Sequence, residues 1–185
     1  MKFFITTFLL LTIVSSHAGV YGDLEYGDDR ATVTRKMSAS PLVEQTINET
    51  LLGRTGLNGI FKCKAELAGL TYHLYFGWDE NGGLNEISLR SNHLALAEYG
   101  NGLRRAWTEA EGLFSKVYDD PAQKTDYPKQ QVFKQHNVLI SHVWHRGNQQ
   151  SILLGPGIKN GKCFLVIRFV NQRVELPPLP KTQGS

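Results

Sequence analysis

Along residues 60–67, Phe61, Cys63, Ala65 and Leu67 alternate with Lys62, Lys64 and Glu66, the period of two that a half-buried strand requires. A second strand is predicted over 71–78, with Tyr72, Leu74, Phe76 and Trp78 on one face and Thr71, His73, Tyr75 and Gly77 on the other. Asn81-Gly82-Gly83 supplies the positive φ of a tight hairpin turn, so a third strand returns over 84–90 and buries Ile87 and Leu89. The period then lengthens. Leu96, Tyr99, Leu103, Trp107, Ala110, Phe114 and Val117 recur every three or four residues, which predicts an amphipathic helix over 95–118. Gly100 and Gly102 weaken its first turns, and Asp119-Asp120-Pro121 ends it. Three further strands are predicted over 137–145, 150–154 and 162–170, punctuated by Arg146-Gly147-Asn148, Gly155-Pro156-Gly157 and Asn160-Gly161. The last is apolar on both faces, a pattern that belongs in the interior of a sheet.

Residues 19–59 are polar and turn-rich, with one short helix predicted after an Asp28 cap, running past Val33 and Met37 to about Ser38 before Pro41 blocks it. The fold class expected is α+β: antiparallel sheet with one long amphipathic helix, in the order short α-βββ-α-βββ. Its core spans 60–174, and 175–185 form a Pro-rich flexible tail containing Pro177, Pro178 and Pro180.

The first residues change the picture from fold to address. Lys2, an apolar run from Phe3 to Val14 and then Ser15-Ser16-His17-Ala18 match a secretory signal peptide over 1–18, cleaved after Ala18. The run is too short to span a bilayer, which takes roughly 20 apolar residues, so the expected product is secreted or periplasmic, without a transmembrane anchor. Charge adds little at the level of the whole chain, 20 Lys and Arg against 17 Asp and Glu, and argues against nucleic acid as a partner. Its distribution is uneven: 19–118 carry ten basic and thirteen acidic side chains, and 119–185 carry nine and four. Export makes Cys63 and Cys163 candidates for a disulfide. Asn48-Glu49-Thr50 is a glycosylation sequon.

No catalytic or metal-binding signature emerges, and no cofactor or metal is expected. His142 and His145 lie three apart on a predicted strand and therefore project to opposite faces, unable to chelate one ion. Asp79 and Asn81 begin like a calcium loop without its later ligands, and Asp79, Glu80 and Glu86 are carboxylates of an ordinary hairpin. The candidate binding surface comprises His73 and Tyr75 on the outward face of the second strand, with Trp144, His145 and Arg146, since exposed aromatic and arginine side chains anchor protein partners.

Tyr26-Gly27-Asp28-Asp29, followed by Val33, Met37 and Ser40-Pro41, resembles the opening of the small outer-membrane-assembly proteins of bacteria, the BamE type. The tandem α-β order is similar to that of β-lactamase-inhibitor-protein-like modules. The resemblance implies a non-enzymatic envelope protein that binds other proteins, and it carries over no individual site residue. The chain departs from the first pattern in having no lipid-attachment cysteine after its apolar run. The function expected is thus an exported, soluble, non-catalytic binding or scaffolding protein. Two alternatives stand beside it: a small exported hydrolase, which requires His142 or His145 beside a carboxylate in a cleft, and an inhibitor or immunity protein presenting a loop such as 146–149.

Overall fold

The structure, a computed structural model, describes residues 20–46, 56–133 and 137–177. The segments that hold the expected signal sequence, the sequon at Asn48 and most of the Pro-rich tail lie outside the described residues.

Helix α1 (Arg30–Ala39) opens the fold. Its cap is Asp29, whose Oδ1 accepts the Thr32 amide at 2.7 Å, one position later than the sequence suggests. Asp28 is occupied otherwise: its carboxylate accepts the Glu25 amide and both its oxygens receive Lys36 Nζ. Strands β1 (Val43–Gln45), β2 (Phe61–Cys63), β3 (Tyr72–Trp78), β4 (Leu84–Ser91) and β5 (Leu94–Ala95) follow. A 3₁₀ turn (Leu96–Glu98) and a π-helical turn (Tyr99–Leu103) carrying Gly100 and Gly102 then lead into the regular helix α2 (Arg104–Tyr118). After it come β6 (Gln123–Lys124), β7 (His142–Arg146), β8 (Gln150–Lys159) and β9 (Lys162–Val170). The class is α+β, with two α-helices and one nine-stranded antiparallel sheet among the described residues.

The strands are ordered β1-β2-β3-β4-β9-β8-β7-β6, with β5 added to β9. Strand β9, apolar on both faces, holds the centre between β4 and β8. Strand β8 runs on through Gly155-Pro156-Gly157 to Lys159, where the sequence reads as a turn. Two close approaches explain this. Gly155 lies directly against the Leu139 carbonyl, so no side chain fits there, and the Phe164 ring lies across Gly157, where a side chain would have to displace it. Pro156 gives no amide, but its carbonyl accepts from Leu139 N at 3.0 Å.

One face of the sheet carries the main core. Val33 and Met37 of α1 and Ala106, Trp107, Ala110 and Phe114 of α2 pack with Tyr72, Leu74, Phe76, Ile87, Leu89, Leu165 and Ile167. The outer face is divided. At the β7-β8-β9 end, Val143, Leu153 and Val170 are covered by Ile140, Val174 and Leu176. The Leu176 amide is fastened to Gln123 Oε1 at 2.6 Å, so the chain is packed as far as Leu176, beyond the point at which the flexible tail was expected to begin. At the β2-β3-β4-β9 end no second apolar cluster covers the outer face among the described residues; Ser88, Phe164 and Val166 are buried there, while His73 and Tyr75 are half-buried and Arg90 is exposed.

The expected disulfide is not formed: Cys63 and Cys163 are both free and buried. Cys63 lies on β2 and Cys163 on β9, with β3 and β4 between them. Three strand spacings amount to about 14 Å, beyond the reach of any disulfide. Each thiol has its own partner, Tyr21 Oη for Cys63 and the Ala95 carbonyl for Cys163.

Candidate functional site

The uncovered part of the outer face is built by register. His73 pairs with Lys62 on one side and Arg90 on the other, and Tyr75 pairs with Ser88. Arg90 in turn faces Val166 of β9, so the polar face of the β3-β4 hairpin and the outward side of β9 form one surface. A single β-bulge at Gly77/Trp78 sets this alignment. At the end of β4, the buried Ser91 hydroxyl donates to the Asn92 carbonyl and accepts the Leu165 amide, which fixes the bend from which His93 projects. The turn at Gly59 docks on β3 through its own amide to the Leu74 carbonyl at 2.8 Å and through Asn58 Oδ1, which accepts the Phe76 amide. Gly59 adopts φ +79°, and the Tyr75 hydroxyl lies 3.3 Å from where a Cβ would stand, so a side chain there is disfavoured twice over.

These pieces enclose a cleft of about 360 Å³ lined chiefly by His73, Tyr75, Arg90, His93, Lys159 and Phe164. The Arg90 guanidinium carbon lies 4.3 Å from the centre of the Tyr75 ring, a cation-π stack that holds the side chain in place. The His93 and Phe164 rings are 5.1 Å apart. Among the described residues no carboxylate lines the cleft. Burial holds His73 below the ordinary histidine range, aided by Lys62, and burial does the same for His93, aided by Lys162 and Lys159. Both imidazoles are therefore mainly neutral near pH 7.

Of the sequence's candidate residues, the structure brings His73 and Tyr75 together here and disperses the others. Trp144 is 0% exposed on the helix side of the sheet and donates its Nε1 proton to the Asp119 carbonyl. His145 is on the outer face but four strands from β3, about 19 Å, and meets Ser151 Oγ at 3.3 Å and Glu175 Oε1 at 3.5 Å. Arg146 points to the opposite face, 5.6 Å over the Tyr118 ring. The residues missed are Arg90, His93, Lys159 and Phe164. Counting back from the Asn81-Gly82-Gly83 turn pairs Arg90 with His73 once the bulge is allowed for.

A second cleft, about 420 Å³, opens on the helix side between Trp107, Glu111, Lys124, Thr125, Asp126 and His142. His142 Nε2 is 3.2 Å from Glu111 Oε1, and His142 Nδ1 is 3.0 Å from Ser141 Oγ. Trp107 Nε1 donates to the same hydroxyl at 2.8 Å. Burial lowers the His142 pKa, Lys124 adding to it and Glu111 opposing it. A neutral imidazole beside a carboxylate carries its proton on Nε2, so Nδ1 is an acceptor that shares the single Ser141 hydroxyl proton with the Leu154 carbonyl. The result is a continuous relay of hydrogen bonds from Trp107 through Ser141 and His142 to Glu111. Among the described residues no group of three His, Cys, Asp or Glu side chains is arranged to hold a metal ion, and no helix is long and apolar enough to cross a membrane.

Comparison with known protein families, curated proteins and solved structures finds no match to this chain.

Proposed function

We propose that the mature chain is an exported, non-catalytic binding protein that recognises a partner protein through the uncovered half of its outer sheet face. The observation that carries this reading is the cleft between β3, β4 and the β8-β9 hairpin, where an arginine is already stacked on a tyrosine beside a phenylalanine and two histidines. Arginine and tyrosine fixed in this way lose little side-chain entropy on docking, which is what an interface anchor requires. The signal-like pattern of Met1 to Ala18 supports export.

A hydrolase is the second reading, favoured by the His142–Glu111 pair in the helix-side cleft. Its chemistry is obstructed by the pairing itself. With Glu111 taking the Nε2 proton, the basic nitrogen is Nδ1, and Nδ1 is turned to the fully buried Ser141 rather than to the cleft. Ser141, hydrogen-bonded to Trp107 Nε1 and the Leu154 carbonyl, is no free nucleophile. The relay reads as a strut between α2 and β7.

The test is differential capture. A partner retained by the wild-type mature chain is lost from the Tyr75→Ala variant and kept by His142→Gln. Capture indifferent to Tyr75→Ala, or a hydrolytic turnover abolished by His142→Gln, overturns the proposal.

A further inference from the structure

We infer that the Arg90 cleft is a carboxylate-recognition site for an acidic segment of the partner protein; the inference rests on the binding reading above and names the chemistry of what is bound. Charge complementarity carries it. On this side of the sheet two other cations are neutralised, Lys62 by Glu44 at 2.9 Å and Arg168 by both Glu86 oxygens at 2.7 and 2.6 Å, while Lys162 near His93 adds to the positive charge. Arg90 and Lys159 line the cleft and form no ion pair among the described residues. Two cations are thus held at one concave site with no direct carboxylate partner among the described residues, Glu86 lying near Arg90 but bound to Arg168.

The geometry selects the anion further. Stacked on Tyr75, the Arg90 guanidinium has one face covered while its in-plane N–H groups stay available, the arrangement that binds a carboxylate through two parallel hydrogen bonds. Lys159 adds a mobile point charge, and Phe164 and Tyr75 supply apolar contact for the methylene groups that carry a glutamate or aspartate head. A nucleic acid needs a run of cations along its backbone, whereas the surface beside this cleft is interrupted by Glu44 and Glu86. Lys62 and Arg90 flank His73, and Lys159 and Lys162 lie near His93. Burial is the main cause of the two lowered pKa values and the lysines add to it; an incoming carboxylate offsets that added repulsion, so its binding draws protons onto the rings and tightens as pH falls.

The experiment titrates the mature chain with an end-blocked penta-glutamate peptide, with penta-lysine and with inorganic phosphate, following amide chemical shifts at low salt. The expected result is saturable penta-glutamate binding that weakens about tenfold or more in Arg90→Gln and in Lys159→Gln, survives in Lys129→Gln, and strengthens from about pH 7.5 to about pH 5.5. Arg90 and Lys159 are exposed, and unchanged thermal melting of each variant confirms that the fold is kept. Equal binding of penta-lysine, or indifference to Arg90→Gln, overturns the inference. So does phosphate binding as tight as that of the peptide, because the site is then one for free anions. If no peptide binds while Tyr75→Ala still abolishes capture of the partner, the carboxylate inference fails and the binding reading stands.

Discussion

Tyr72 is 1% exposed, and its hydroxyl has no hydrogen-bond partner among the described residues; burial pushes its pKa well above the ordinary tyrosine value. An unsatisfied buried hydroxyl costs about 1–3 kcal/mol. Tyr72→Phe is therefore expected to raise the urea midpoint or leave it unchanged, in contrast to most core substitutions. His142 makes the opposite point, since its ring is fully engaged and nearly sealed. Burial lowers its pKa relative to the unfolded chain, and the same holds for His73 and His93. Below the unfolded value of about 6.5 the unfolded state binds protons that the folded state refuses, so stability is complete above that pH and declines as pH falls toward the lower folded values. Urea midpoints measured from about pH 7.5 to about pH 5 are expected to fall on acidification, with a shallower slope in His142→Gln. A pH-independent midpoint in the wild-type chain contradicts this reading.

At the scale of elements, β8 is where local signals and tertiary packing disagree. Gly155-Pro156-Gly157 has the chemistry of a turn, and nothing local reports that Leu139 and Phe164 will press against the two glycines. The strand continues because its neighbours need bare backbone there. A methyl group at Gly155 meets backbone, the Leu139 carbonyl, while one at Gly157 falls 2.6 Å from Phe164 Cζ, a side chain that can swing. Gly155→Ala is accordingly expected to cost about 3 kcal/mol or more, and Gly157→Ala about 1–2 kcal/mol, in urea unfolding. The β3-β4 hairpin shows the reverse case. Asp79 Oδ1 accepts the Asn81 and Gly83 amides at 2.9 and 2.8 Å, so the acidic start of this loop is turn chemistry, as its spacing suggests. The candidate site inherits both lessons. His73 and Tyr75 follow from period-two alternation, and Arg90 from the hairpin register. Lys159 and Phe164 depend on the hidden length of β8 and stay illegible until the fold is known.

For the whole molecule, the antiparallel α+β class and the interior position of β9 are legible because they rest on hydrophobic pattern alone. Relations between distant segments are not. Trp144 was expected beside Tyr75, yet strand alternation sends it to the helix face with His142, where their rings stack at 5.5 Å. The cysteines fail as a pair for a related reason: composition and an export-like N-terminal pattern say nothing about how many strands separate them. Two thiols per chain are therefore expected to react with a disulfide-exchange reagent in denaturant without reductant, and thermal stability should be unaffected by added dithiothreitol. One reactive thiol or none contradicts the observed separation of β2 and β9.

The division of the outer face into a covered and an uncovered half is what the functional account rests on. Val174 and Leu176 close the β7-β8-β9 end over Val143, Leu153 and Val170, and among the described residues the cleft of His73, Tyr75, Arg90 and Lys159 is the more open part of the face. The most direct measurement is amide chemical-shift mapping of the mature chain saturated with its captured partner. The account predicts perturbations concentrated on His73, Tyr75, Arg90, His93, Lys159 and Phe164. Perturbations centred instead on Glu111, Lys124 and His142, or on the exposed Leu113 and Val117 of α2, would contradict it.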